Sequence, residues 1–134
     1  MITSIRDVKK LYEKIGWKYT DNEDSLLVSF EMEFRDVRVH VRLNDSQSIL
    51  FLISLVCNAP KDHVYQVYQH LLRLNHKYNL TKFSIDKDND VIASVEIPVE
   101  RLGKSDLELS TRALLQAVDD ETLTIKKVER DGEL

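Results

Sequence analysis

One cysteine, three glycines and two prolines are spread over 134 residues, and no apolar run reaches the ~20 residues of a membrane span. Each shortage excludes something. The lone thiol, Cys57, cannot close an internal disulfide, which agrees with a reducing compartment. Glycine-rich phosphate loops and dinucleotide fingerprints are missing, and so is a nucleophile elbow. Neither sign of charge dominates. Lys and Arg number 19 and Asp and Glu 23, for a net charge of −4, and no block of like charge occurs. A general nucleic-acid binder takes most of its affinity from basic side chains on phosphate, so that class is not expected here. The opening residues, Met1-Ile2-Thr3-Ser4-Ile5-Arg6-Asp7, lack the basic stretch and apolar core of a signal peptide, and a cytoplasmic setting is expected.

What is present is the balance of a folded chain, 43% apolar and 31% charged. Repeats, low-complexity tracts and linkers are not seen. A single domain over 1–134 is expected, with 119–134 as a charged C-terminal extension.

Ile5, Val8, Leu11 and Ile15 recur at helical spacing, with Thr3 or Ser4 to cap the start and Gly16 to end it. After Trp17 and Tyr19 comes an acidic loop, Asp21-Asn22-Glu23-Asp24. Two alternating strands follow. The first has Leu26, Val28, Phe30, Met32 and Phe34 on one face, the second Val37, Val39, Val41 and Leu43. A turn at Arg35-Asp36 would set Glu33 against Arg38 and Glu31 against His40, with Met32 meeting Val39 and Phe30 meeting Val41. A two-residue slip would keep both faces. Asn44-Asp45-Ser46-Gln47 reads as the next turn.

The third strand, over 49–57, is apolar on both sides. Ile49, Phe51, Ile53 and Leu55 share one face, and Leu50, Leu52 and Val56 the other. A helix from Pro60 to about Tyr78 carries the stripe Val64, Val67 or Tyr68, Leu71, Leu74 and Tyr78. Strands over 82–86 and 91–97 flank a polar turn, and Ser105-Asp106-Leu107-Glu108 reads as a capping box opening a helix with Leu107, Leu114, Leu115 and Val118. Thr122-Leu123-Thr124-Ile125 favours a strand and the charges around it a continued helix. The expected class is α+β, an antiparallel sheet of about five strands with segregated helices in the order α-β-β-β-α-β-β-α.

Chemistry is hard to find. Asp86-Lys87-Asp88-Asn89-Asp90 resembles the start of a calcium loop, but Val91 stands where the loop needs glycine and Ile97 where it needs glutamate. It reads as a solvated hairpin turn. His63, His70 and His76 are seven and six residues apart, two turns of helix, too far to share a metal. Cys57 ends an apolar strand as a small core hydrophobe. No catalytic set, cofactor site or metal site is expected.

The surplus apolar surface is the informative feature. A sheet packed on helices through one face leaves the second face of the 49–57 strand unexplained, and the middle helix has more apolar surface than one stripe requires. Either that helix covers the second face or a partner does. The candidate partner surface is Val64, Tyr65 and Tyr68 on the helix with Ile49, Phe51 and Ile53 on the strand.

Leu71-Leu72-Arg73-Leu74-Asn75 at a helix end, then Phe83-Ser84-Ile85-Asp86, a polar turn and Val95-Glu96-Ile97-Pro98 before the last helix, resembles the YbjN-like proteins. These share the fold of type III secretion chaperones of the CesT/Tir-chaperone kind. The resemblance spans roughly residues 3 to 118, and the tail from Thr122 departs from it. It implies a compact, usually dimeric cytoplasmic fold, sometimes called regulatory or sensory, that binds extended segments of other proteins without chemistry. It offers no catalytic residues to carry over. The expected function is therefore a non-enzymatic, chaperone-like or adaptor module binding a protein or peptide client, as a homodimer. The alternative is a small-molecule sensor domain on the same scaffold.

Overall fold

The computed structural model describes residues 2–44, 46 and 48–134, the side chain of Arg101 excepted. Asp45 and Gln47 of the expected 44–47 turn lie outside the described residues. The chain runs α1 (Ile5–Ile15), β1 (Thr20–Asn22), β2 (Ser25–Glu31), β3 (Asp36–Asn44), β4 (Ile49–Cys57), α2 (Val64–Lys77), β5 (Lys82–Ile85), β6 (Val91–Pro98), a 3-10 turn (Val99–Arg101) and α3 (Lys104–Asp131). The six strands form one antiparallel sheet in the order β1-β2-β3-β4-β6-β5. This is the expected α+β class, with one strand more.

Local chemistry sets the first helix. The Ser4 hydroxyl accepts the Asp7 N–H, and the Asp7 carboxylate reaches back to the N–H and hydroxyl of Thr3. Those bonds hold the Asp7 carboxyl below its usual range. Gly16 ends the helix at φ 92°, a left-handed turn that suits glycine. The extra strand, β1, falls within the expected acidic loop. Lys9 on α1 donates to the Asp21 carboxylate at 2.5 Å and to the Glu23 carbonyl at 2.9 Å, pinning a hairpin that propensity alone does not predict.

β2 and β3 pair as expected but in another register. Phe30 lies opposite Val37, Val28 opposite Val39 and Leu26 opposite Val41, four residues from the pairing anticipated, and Met32 and Phe34 fall in the loop. The inner face is preserved because the shift is even. Charge pairing is not. Glu31 faces Asp36, Arg38 faces Ser29 and His40 faces Leu27, so the expected His40–Glu31 and Arg38–Glu33 pairs do not form. The cause is tertiary. The Asp119 carboxylate of α3, 2% exposed, accepts the N–H groups of Glu33 and Phe34 at 3.2 and 2.9 Å. The Arg35 guanidinium donates to the carbonyls of Leu55 and Val56 and to the Thr122 hydroxyl. Those carbonyls are freed by an irregularity in β4 between Leu55 and Cys57, so Arg35 caps a bulge as it fixes the loop.

α3 also differs from expectation. It begins at Lys104 with Gly103 as its cap and no side-chain capping bond, so Ser105 sits inside the first turn, and Glu108 faces Arg112 at 3.7 Å. The helix does not stop near Val118. Thr122, Ile125 and Val128 continue its buried stripe, and this burial decides the 122–125 stretch in favour of helix. At its end, Gly132 has φ 78° and lies against the His63 ring, where a Cβ would come within 2.7 Å. His63 itself precedes α2, and its Nδ1 lies 2.7 Å from the Glu129 carbonyl oxygen.

The core is one cluster. It joins Val8 and Tyr12 of α1, Val67, Leu71 and Leu74 of α2, and Leu107, Leu114, Val118 and Ile125 of α3 to the inward rows of the sheet. α3 lies across β4 and β6, and α2 lies beside α3 and against β5. Asn75 ties α2 to that edge, donating to the Phe83 carbonyl and accepting its N–H. At the other end Trp17 packs between Tyr12 and Phe30.

Candidate functional site

All three helices bury their residues against the same side of the sheet, that of Leu50, Leu52 and Val56. The other side of β4 is therefore left without a helix. Ile49, Phe51 and Ile53 there are half-buried, Leu55 is 44% exposed, and none of them belongs to the core. Between the two covers left open by the sequence, α2 is eliminated. Leu27 on β2 and Ile92 on β6 add to the apolar area, Ile92 lying opposite Leu55.

Beside that row runs a row of basic side chains. On β3 the same face carries Arg38, His40 and Arg42, with Arg42 opposite Phe51 and His40 opposite Ile53. The Arg42 guanidinium lies over the Phe51 ring, 5.3 Å from its centroid. Among the described residues none of the three makes an ion pair. On the far flank, Glu96 of β6 is already paired with Lys82 of β5 at 2.8 Å. Sequence reasoning assigned Arg38 and His40 to cross-strand carboxylates and so missed the row as part of a surface. Only the register reveals them.

The α2 candidates lie elsewhere. Tyr65 is 72% exposed, Val64 is half-buried, and Tyr68 is half-buried against the core. Because α2 sits on the covered side of the sheet, the helix and strand candidates do not merge into one surface. Leu72, 70% exposed, joins Tyr65 and Tyr68 as a second apolar stripe at spacings of three and four. Helical spacing from Tyr65 was the signal that could have found it.

Several other titratable groups are engaged within the fold. Asp86 accepts the N–H groups of Asp88 and Asp90, and Asp90 accepts that of Ala59. The three carboxylates come within 4.8 Å of one another, but as the frame of a turn. Burial raises the Cys57 thiol above its ordinary value, with Glu129 adding to the effect, so it is no poised nucleophile. A depression of about 540 Å³ between α2 and α3 is lined by His70, Arg73, Lys77, Asp120 and Glu121. Its buried carboxylate, Glu121, is taken by Lys77 at 3.0 Å and the Tyr78 hydroxyl at 2.5 Å.

A six-stranded antiparallel sheet with helices on one face defines a class of fold. It is the fold of YbjN from E. coli, with a TM-score of 0.68 at 12% identity over 96% of this chain and 93% of that one. It is also the fold seen in the ExsC–ExsE complex, with a TM-score of 0.67 at 16% identity over 93% and 97% of the two chains. The HopA1–SchA chaperone–effector complex shares it too, with a TM-score of 0.61 at 17% identity over 83% and 89%. By sequence the chain belongs to the YbjN family, described as "Putative bacterial sensory transduction regulator", which it matches over residues 4–121. No curated protein matches it by sequence. The last two core residues of α3, Ile125 and Val128, lie beyond the matched stretch. Among the described residues no helix is long and apolar enough to cross a membrane.

Proposed function

We propose that this protein is a non-enzymatic, chaperone-like binding module that holds a segment of another protein, and that it works as a homodimer. The observation that carries the reading is the bare row of Ile49, Phe51, Ile53 and Leu55 on the central strand. A monomer gains nothing from leaving Leu55 exposed and Ile49, Phe51 and Ile53 only half-buried, whereas a bound partner removes that remaining area from solvent. The fold supports the reading, since the solved relatives include complexes named for two proteins, one of them a chaperone with its effector. The second stripe, Tyr65, Tyr68 and Leu72, is the surface for a second copy, because aromatic residues with an exposed hydroxyl suit an interface that must also tolerate water. Among the described residues no constellation supports catalysis.

The sensor alternative would use the depression between α2 and α3. Its charges are largely paired within the protein, and it opens widely to solvent, so it ranks second.

A comparison of baits tests the main reading. Immobilised protein and its Ile53→Asp variant are exposed to cytosol of the source cell, and retained proteins are identified by mass spectrometry. A protein held in stoichiometric amount by the natural sequence and lost by the variant supports a client on the sheet face. Equal recovery on both baits, or no protein on either, would count against it.

A further inference from the structure

We propose that the occupant of the helix-free sheet face is an amphipathic helix whose apolar stripe is edged by carboxylates, laid along β4 with its acidic edge over β3. The inference rests on the protein-binding reading above and adds the chemistry and shape of the partner.

Shape comes first. The backbone groups of β3, β4 and β6 are paired within the sheet, so a strand laid on this face finds no backbone partner there. Extended segments gain affinity from sheet edges, where N–H and C=O groups are free. A helix satisfies its own backbone and needs only an apolar surface. The surface fits one. Phe51, Ile53 and Leu55 repeat every ~6.8 Å along the strand, close to the ~6 Å between i and i+4 side chains on a helix. The nine residues of β4 extend about 30 Å, the length of a helix of ~20 residues.

Charge then selects the partner. Arg38, His40 and Arg42 form one row on one side of the apolar strip, without carboxylate partners, on a chain whose net charge is −4. The opposite flank has Ser94 and the already paired Glu96. The face is therefore lopsided, apolar in the centre with unpaired basic side chains on the β3 side, where the row ends at Asp36 opposite Glu31, while Lys82 on the far flank is already paired with Glu96. A neutral helix covering it would desolvate the cations without recompense, and a basic one would add repulsion. A helix with Glu or Asp along one edge pairs them and leaves its other edge free to be neutral. The Arg42 guanidinium, held over the Phe51 ring 5.3 Å from its centroid, keeps N–H donors available to a carboxylate.

The test uses the full chain and three fluorescein-labelled peptides of about 18 residues. They share a Leu stripe and carry Glu, Gln or Lys along one edge of it. Fluorescence anisotropy gives affinities at about 50 and 300 mM salt, where screening of exposed charge differs strongly. The expected order is acidic, then neutral, then basic. The acidic peptide should gain about tenfold over the neutral one at low salt and less at high salt, as expected for two or three exposed pairs. The double variant Arg38→Glu with Arg42→Glu should reverse the order of the acidic and basic peptides. Its urea midpoint is checked first, and Arg38→Gln with Arg42→Gln takes its place if the fold is lost. That neutral pair should abolish the acidic preference.

The ways to fail are distinguishable. Equal binding of all three peptides overturns the acidic assignment and leaves the protein-binding reading standing. No peptide binding, while the bait experiment retains a client through Ile53, overturns the helix. A two-chain mass that Ile53→Asp reduces to one shows that a second copy covers the face, and overturns the proposal. Failure of the peptides and the baits together removes the parent reading as well.

Discussion

His70 occupies the interface of α2 and α3, 8% exposed, with its Nε2 atom buried and without a hydrogen-bond partner among the described residues. Burial lowers its pKa below the ordinary value, Glu121 of α3 opposes this, and Arg73 and Lys77 on its own helix reinforce it. Because the folded value is depressed, the unfolded chain binds the proton more readily. The stabilising neutral form is complete above the unfolded value near ~6.5 and is lost as pH falls through it toward the folded value. Stability of the natural protein should therefore fall as pH drops through the unfolded value of ~6.5. In a His70→Leu variant that part of the decline should vanish. Urea midpoints of both proteins above and below that value decide it, and parallel pH curves would show that His70 is not the group responsible. Histidine spacing in the sequence said only that no metal is shared. The desolvated environment comes from packing.

At the scale of elements, the loop between β2 and β3 carries the clearest dependence of local structure on a distant residue. Residues 32–35 contain no glycine, asparagine or proline to dictate a turn, so their geometry is imposed by Asp119 and by Arg35 on the β4 bulge. Replacing Asp119 with Ala leaves two part-buried N–H groups to find water or nothing, which costs about 1–3 kcal/mol. Asp119→Asn keeps one acceptor oxygen and should lose roughly half as much. Urea unfolding measures both. If Asp119→Ala unfolds at the natural midpoint, the loop has its own means of closure, and α3 does not set the β2–β3 register. α3 itself extends to Asp131 for the same kind of reason. Ile125 and Val128 reach the core, and that burial outweighs the β-favouring residues Thr122, Thr124 and Ile125.

For the whole molecule, the two apolar surfaces lie on opposite sides, so the proposed second copy and the proposed client would not compete for one surface. Tyr65→Ala should weaken dimer dissociation affinity about 30-fold, the ~2 kcal/mol typical of a central interface aromatic, with an unchanged urea midpoint at dilute concentration. Tyr68 packs partly on the core, so Tyr68→Ala should lose stability as well as association. Analytical ultracentrifugation over a concentration series separates the two effects, since dimerisation itself stabilises the fold. A single-chain mass at every concentration would remove the homodimer from the proposal.

The sequence by itself determined the class of fold and most of the elements. α1 with its Ser4 cap, the third strand over 49–57, the 82–97 hairpin and the middle helix, which starts at Val64 rather than directly after Pro60, follow from apolar period and local signals that act over a few residues. Its family was legible in the stretches around Leu71-Leu72-Arg73-Leu74-Asn75 and Val95-Glu96-Ile97-Pro98. Tertiary structure decided the rest. It gave β1 its place through Lys9, set the β2–β3 register through Asp119 and Arg35, carried α3 to Asp131, and left Ile49, Phe51 and Ile53 without a helix over them. Alternation assigns a side chain to a face but is unchanged by an even slip. The row of basic side chains beside the bare face, which depends on what lies opposite Arg38, His40 and Arg42, could be read only once long-range contacts had fixed that slip.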